Sequence, residues 1–268
     1  MITSTANTKV KQVVQWQTKA KERKKDEVFL AEGIKMFGEA PENWIREAYL
    51  TNEALDKLEN QPQLKEKLNR ISWETVSEEV MQKMADVQTP QGILTVLKRP
   101  QYDVEEVLKH PNGLYLVLEN LQDPGNLGTI MRTSEGAGVT AVIMNKTTVD
   151  IFNPKTIRAT MGSIYRVPFI FMDDLNEIMQ KFKKKGITTY AAHLSGTTYF
   201  TENSFQKACA FLIGNEGNGL SEELTNLADC RIKIPMEGRL ESLNAAVAAA
   251  LLIYEVKRQR STQFVSTI

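Results

Sequence analysis

From Gly113 onward the chain alternates short apolar runs with helical stretches, and this rhythm constrains the fold more than any other feature. The runs at 114–118, 141–144, 167–170, 188–192, 210–213 and 231–234 have the length of strands. Helical patterns fall between or after them at 127–137, 174–185, 221–228 and 244–260. Apolar strands alternating with helices predict an α/β domain built on a mainly parallel sheet with helices covering it. In such sheets ligands sit at the carboxyl ends of the strands, so the strand exits are where function is sought.

Residues 1 to about 98 read as a separate, smaller α/β domain. A basic helix is expected over 10–25, a strand over 28–32, helical stretches near 33–39 and 53–58, and a closing strand over 91–97. A linker over 99–112 ends at the turn Pro111-Asn-Gly113. Two domains suit a chain of 268 residues.

Three strand exits carry polar and glycine residues in patterns that fit a binding site. The first is Asp123-Pro-Gly-Asn126, expected to place Asn126 as a helix N-cap, with Arg132 two turns into that helix. Gly128, Thr129, Thr133, Ser134 and Gly136 make this helix poor in bulk, so it should pack closely or line a pocket. The second exit, Gly214-Asn215-Glu216-Gly217-Asn218-Gly219, lets backbone approach a ligand and leaves amides free to bind it. It is neither the dinucleotide fingerprint nor a phosphate loop, and Glu216 suits a ligand with hydroxyls or positive charge. The third runs from Ile234-Pro-Met236 to Ser242-Leu-Asn244, ahead of an alanine-rich helix. Taken singly, each has a plain structural explanation in a capped helix, a flexible turn or a tightly packed core helix.

Charge and cysteine content exclude more than they suggest. Lys plus Arg equals Asp plus Glu at 33 each, so net charge names no partner, although Lys19 to Lys25 is locally basic and could face phosphates. Cys209 and Cys230 are too few for a disulfide framework, and with His110 and His193 they show no metal-ligand spacing, so no metal is expected. Cys209 reads as a buried thiol, and Trp16, Trp44 and Trp73 as core more readily than as stacking platforms for bases. Neither a secretory leader nor a run long enough to span a membrane is visible, so a cytoplasmic protein is expected.

In this order, the three motifs resemble those of the SpoU (TrmH) family of RNA ribose 2′-O-methyltransferases, in the SPOUT superfamily. Asn153-Pro-Lys-Thr-Ile-Arg158 follows the same pattern, and Phe29-Leu-Ala-Glu-Gly33 with Asn7, Lys11 and Arg23 resembles the substrate-binding domain that often precedes the catalytic one. The resemblance implies a ribosomal-protein-like RNA-binding domain over 1–98 and a SPOUT domain with a deep trefoil knot over 113–268. It implies a homodimer that binds S-adenosyl-L-methionine in a bent form, with Ala192, His193, Gly214, Asn215, Gly217, Ile234, Met236 and Leu243 around it. Catalytic roles are implied for Asn126, Arg132, Glu216, Ser242 and Asn244, and RNA contacts for Lys19, Arg23, Lys24 and Arg158. The family casts the arginine matching Arg132 as a base. Because arginine side chains stay cationic, an electrostatic and orienting role is the better physical reading. The implied target is a ribose in 23S ribosomal RNA. A transfer RNA target, a non-catalytic RNA-binding protein and a nucleotide-cofactor oxidoreductase are the competing readings, the last disfavoured by the missing fingerprint.

Overall fold

The computed structural model describes residues 1–194, 196, 204–239 and 242–262 and divides into two compact units. The first comprises Met1–Pro100 together with Asp150–Tyr165, and the second comprises Gln101–Val149 and Arg166–Ile268.

In chain order the first unit runs α1 (Thr8–Thr18), α2 (Ala20–Lys25), β1 (Val28–Glu32), α3 (Ile34–Glu39), β2 (Ile45–Leu50), α4 (Asn52–Glu59), α5 (Pro62–Asn69), β3 (Trp73–Thr75), α6 (Glu78–Met84) and β4 (Ile93–Lys98). The sheet order is β1-β4-β2-β3, with β4 antiparallel to both of its neighbours and β2 parallel to β3. Val10, Val13 and Trp16 of α1 join Val28, Leu30, Tyr49 and Val96 in a buried cluster on one side of this sheet.

The single basic helix expected over 10–25 is two helices, broken at Lys19, whose backbone is extended. The break releases the carbonyls of Trp16 and Gln17 from helical pairing, and both accept from the buried Arg23 guanidinium, at 2.7 and 3.2 Å. Trp16 is core, with its indole N–H donating to Asp26. The core expectation fails for Trp73, which is 36% exposed, and Trp44 is only half-buried.

The second unit begins with α7 (Val104–Val107), β5 (Leu114–Leu118), α8 (Pro124–Ala137) and β6 (Ala141–Asn145). The next helix, α9 (Pro154–Thr160), belongs to the first unit. There Asp150 takes the Arg23 guanidinium at 2.6 Å, Phe152 packs on Phe29 with ring centroids 5.1 Å apart, and Arg158 pairs with Asp86. The second unit then resumes with β7 (Phe169–Met172), α10 (Leu175–Lys185), β8 (Thr188–Ala192), β9 (Cys209–Ile213), α11 (Glu222–Leu227), β10 (Cys230–Ile232) and α12 (Ala245–Thr262).

Six strands in the order β10-β8-β9-β5-β6-β7 form a wholly parallel sheet, the architecture that the alternating pattern predicts. β5 and β9 lie next to each other near its centre and are buried along their whole length. Their ends therefore point residues 119–123 and 214–219 toward the same edge. Burial pushes the Cys209 thiol up to about 11, consistent with the buried free cysteine expected. Among the described residues no helix is long and apolar enough to cross a membrane, and no His, Cys, Asp and Glu group is arranged to hold a metal ion.

Candidate active site

The loop after β9 folds back sharply on itself. Asn215 N–H donates to Gly219 O at 3.0 Å and Gly219 N–H returns to Asn215 O at 2.9 Å, with Gly219 in the left-handed region at φ +68°. A Cβ on Gly214 would lie 2.1 Å from the Gly219 carbonyl carbon and 2.2 Å from Leu220 N, so only glycine fits at that crossing. The Asn215 side chain braces the turn from within, accepting from the N–H groups of Gly217 and Asn218.

Residues of this loop, of the β8 and β10 exits and of the segment before α12 enclose a cavity of about 300 Å³. All eight residues expected around the methyl donor line it: Ala192 and His193 after β8, Gly214, Asn215 and Gly217 after β9, then Ile234, Met236 and Leu243. Glu216 and Ser242 line it as well. Leu194, Leu220 and Lys233 also face it, and the sequence reading missed them because they carry no motif. The volume falls within the usual range of small-ligand sites.

A chain of hydrogen bonds beside the cavity joins all three motifs. Asn244 Nδ2 donates to Asn126 Oδ1 at 2.9 Å, and Asn126 Nδ2 donates to Glu216 Oε1 at 3.0 Å. The same carboxylate accepts from the backbone N–H groups of Gln122 and Asp123, both at 3.2 Å. Burial works to raise the pKa of Glu216, but the bonds from Asn126 and from the backbone N–H groups of Glu216, Gln122 and Asp123 outweigh it. The carboxyl is therefore held below its ordinary value. Asn244 also caps α12, accepting from Ala246 and Val247 N–H.

Asn126 is not the N-cap of α8. Asp123 holds that position and accepts from Asn126 N–H at 2.7 Å. Pro124 marks it, since proline favours the first helical position and so points to the residue before it as the cap. With the cap filled, the Asn126 amide is free to bridge Glu216 and Asn244.

Arg132 is exposed on α8 and does not line the cavity; six residues beyond Asn126, it stands about 9 Å further along the helix axis. Among the described residues it has no hydrogen bond or ion pair. In the first unit Lys19 and Lys24 are exposed. Arg23, expected to contact RNA, is buried, and its two terminal nitrogens are taken by Trp16 O, Gln17 O and Asp150, so its guanidinium is not presented to a phosphate. Arg158 is part-exposed and paired with Asp86.

Residues 113–254 match the family model of the SpoU rRNA methylases. The chain belongs to the SpoU rRNA methylase family. Membership makes it an S-adenosylmethionine-dependent RNA methyltransferase, as its motifs implied, and residues 7–95 match the MRM3-like substrate binding domain. This SpoU methylase is 33% identical over 257 residues to the 23S rRNA (guanosine(2553)-2′-O)-methyltransferase of Bacillus subtilis (strain 168), covering 96% of the chain and 98% of the relative. An AdoMet-bound rRNA methyltransferase from Sinorhizobium meliloti superposes with a TM-score of 0.82 at 28% identity, over 96% of this chain and 97% of that one. The SpoU methyltransferase AviRb from Streptomyces viridochromogenes shares the fold, with a TM-score of 0.85 at 24% identity over 96% of this chain and 99% of that one.

Proposed function

We propose that this SpoU methylase transfers a methyl group from S-adenosylmethionine to a ribose 2′-hydroxyl of 23S ribosomal RNA, as a cytoplasmic homodimer. The observation that carries the reading is Glu216, which lines the cavity while Asn126 and Asn244 tie it to the other two motifs. A carboxylate kept ionised at the rim of a partly apolar pocket suits a cationic ligand, and the Gly214 cradle admits backbone contact to it. S-adenosylmethionine, when bound, supplies a methyl on a positively charged sulfur. The 23S relative matches almost end to end, including the substrate-binding domain, which favours a ribosomal target.

The chain's own residues then orient and polarise the acceptor. The acceptor hydroxyl gives up its proton to solvent water as its oxygen gains the methyl group, and Arg132 stabilises that oxygen, directly or through the neighbouring phosphate, as an orienting cation rather than as a base. Asn126, Ser242 and Asn244 hold the ribose side of the site. Lys19 and Lys24 supply phosphate contacts from the first unit, and Arg158 contributes only if it exchanges Asp86 for RNA.

Two features support the remaining expectations. Gly196, after β8, lies so close to the end of β10 that a Cβ would be 2.4 Å from the Ile232 carbonyl carbon, a tight approach compatible with the threading of a trefoil knot. Val247, Leu251 and Tyr254 form an exposed apolar stripe at helical spacing on α12, suited to burial against a second copy.

Incubation with labelled S-adenosylmethionine and 23S or transfer RNA, followed by mapping of the label, tests the function. Label on a 23S ribose is expected; label on a base, or on transfer RNA alone, would overturn the assignment. Sedimentation should show a dimer at micromolar concentration, and a monomer would remove the homodimer.

A further inference from the structure

The residue after Glu119 at the end of β5 has an unusual backbone. Asn120 is not glycine, yet its φ is +56°, in the left-handed region that side chains other than Asn, Asp and Gly seldom enter. An observed outlier of this kind, held in place by its surroundings, is a reason to look for a function.

Its surroundings do hold it. Asn120 N–H donates to Asn145 Oδ1 at 3.0 Å and Asn145 Nδ2 donates back to Asn120 Oδ1 at 2.9 Å, a reciprocal pair between the ends of β5 and β6. Thr147 Oγ1 also donates to Asn120 Oδ1, and Thr148 Oγ1 steadies Asn145 Oδ1 at 2.8 Å. On its other side Asn120 O accepts from Asn215 Nδ2 at 2.8 Å and from Gln122 Nε2 at 3.0 Å. Asn215 braces the glycine loop of the cavity, and Gln122 and Asp123, just beyond the left-handed turn, aim their N–H groups at Glu216.

We propose that Asn120, clamped by Asn145, is a positioning residue of the methyltransferase site, setting both the Asn215 loop and the Glu216 carboxylate without touching a ligand. The left-handed turn sends residues 121–123 toward Glu216, while the same residue's carbonyl fixes Asn215. One residue thus couples the β5 and β6 ends to the donor cavity. This rests on the functional reading above, and it adds two residues that the three motifs do not contain.

The variants separate backbone from side chain. Asn120→Gly keeps the left-handed freedom and the backbone N–H bond to Asn145 but loses the side-chain bonds from Asn145 and Thr147; Asn120→Ala loses those bonds and the left-handed freedom; Asn120→Asp keeps an oxygen that accepts from Asn145 and Thr147 and tolerates the same backbone. Asn145→Ala removes the clamp from the other side. Three readouts are needed on the full-length protein: the urea midpoint, S-adenosylmethionine affinity by calorimetry, and the Glu216 carboxyl titration followed by carbon-13 NMR without ligand.

In Asn120→Gly, Asn120→Ala and Asn145→Ala we expect Glu216 to titrate closer to the ordinary carboxylate value and donor affinity to fall by about tenfold, with Asn120→Asp restoring both. An unchanged Glu216 titration in folded Asn120→Gly and Asn145→Ala would overturn the proposal, as would losses that track only the urea midpoint. Failure of the wild-type protein to bind S-adenosylmethionine would defeat the functional reading instead, and the Glu216 titration would still decide for or against Asn120.

Discussion

Asn126 and Glu216 are 90 residues apart in sequence, and their side chains meet at 3.0 Å, locking the first turn of α8 to the glycine loop after β9. Glu216→Ala strands the Asn126 amide and the N–H groups of Gln122 and Asp123. Because these bonds lie at the surface and water can reach the stranded donors, a stability loss of only about 0.5–1 kcal/mol is expected, measurable by urea unfolding. No loss would mean that water replaces the carboxylate without cost.

The same carboxyl predicts a pH dependence. Its folded-state pKa is lowered, so its contribution is complete above the ordinary value of 4.5 and is lost as pH falls through the lower folded-state value. The stability gap between wild type and Glu216→Gln should therefore shrink as pH drops below 4.5. A gap that widened on acidification would contradict the sign.

Gly214→Ala places a methyl group against main-chain atoms of Gly219 and Leu220 that cannot rotate away. The loop must move, and S-adenosylmethionine affinity should drop at least about tenfold, the scale of a single strained backbone position. Calorimetry giving the wild-type affinity would show that the crossing is slack.

Arg132→Ala should abolish methyl transfer and leave donor affinity close to wild type, because Arg132 stands outside the cavity lining. Single-turnover transfer and calorimetry read the two effects separately. Equal activity would remove Arg132 from the site, whereas lost donor binding would place it in the wrong role.

The parallel sheet was readable because strands covered on both faces leave continuous apolar runs, as β5 and β9 show. The second strand of the first unit was not. In Ile45–Leu50 a register shift between Ile45 and Glu47 and an exposed Arg46 blur the alternation, although β2 is an inner strand of its sheet. The motif residues that line the cavity were legible. Asn120 and Asn145 were not, since only backbone geometry and partners 25 residues apart reveal them. Arg23 was misread as a surface cation because its partner, Asp150, lies 127 residues away.

Replacement of both exposed lysines, Lys19→Glu with Lys24→Glu, should weaken RNA binding and flatten its dependence on salt by about two phosphate contacts. Binding measured from low to moderate ionic strength checks this. An unchanged slope would exclude this face from RNA contact.

Arg23→Ala leaves Asp150 without its cation and the carbonyls of Trp16 and Gln17 without their donor. Because Asp150 is part-exposed, breaking the pair and stranding the two carbonyls should cost about 1–3 kcal/mol. Chemical denaturation that gave a loss within error of zero would show that the break at Lys19 has another cause.

The return of residues 150–165 to the first unit also bears on synthesis. Asp150 and Phe152, the partners of Arg23 and Phe29, leave the ribosome only after β5, α8 and β6 have been made. Residues 1–100 of the newborn polypeptide must therefore wait, with the face that Phe152 will cover still open, while part of the next sheet is already emerging.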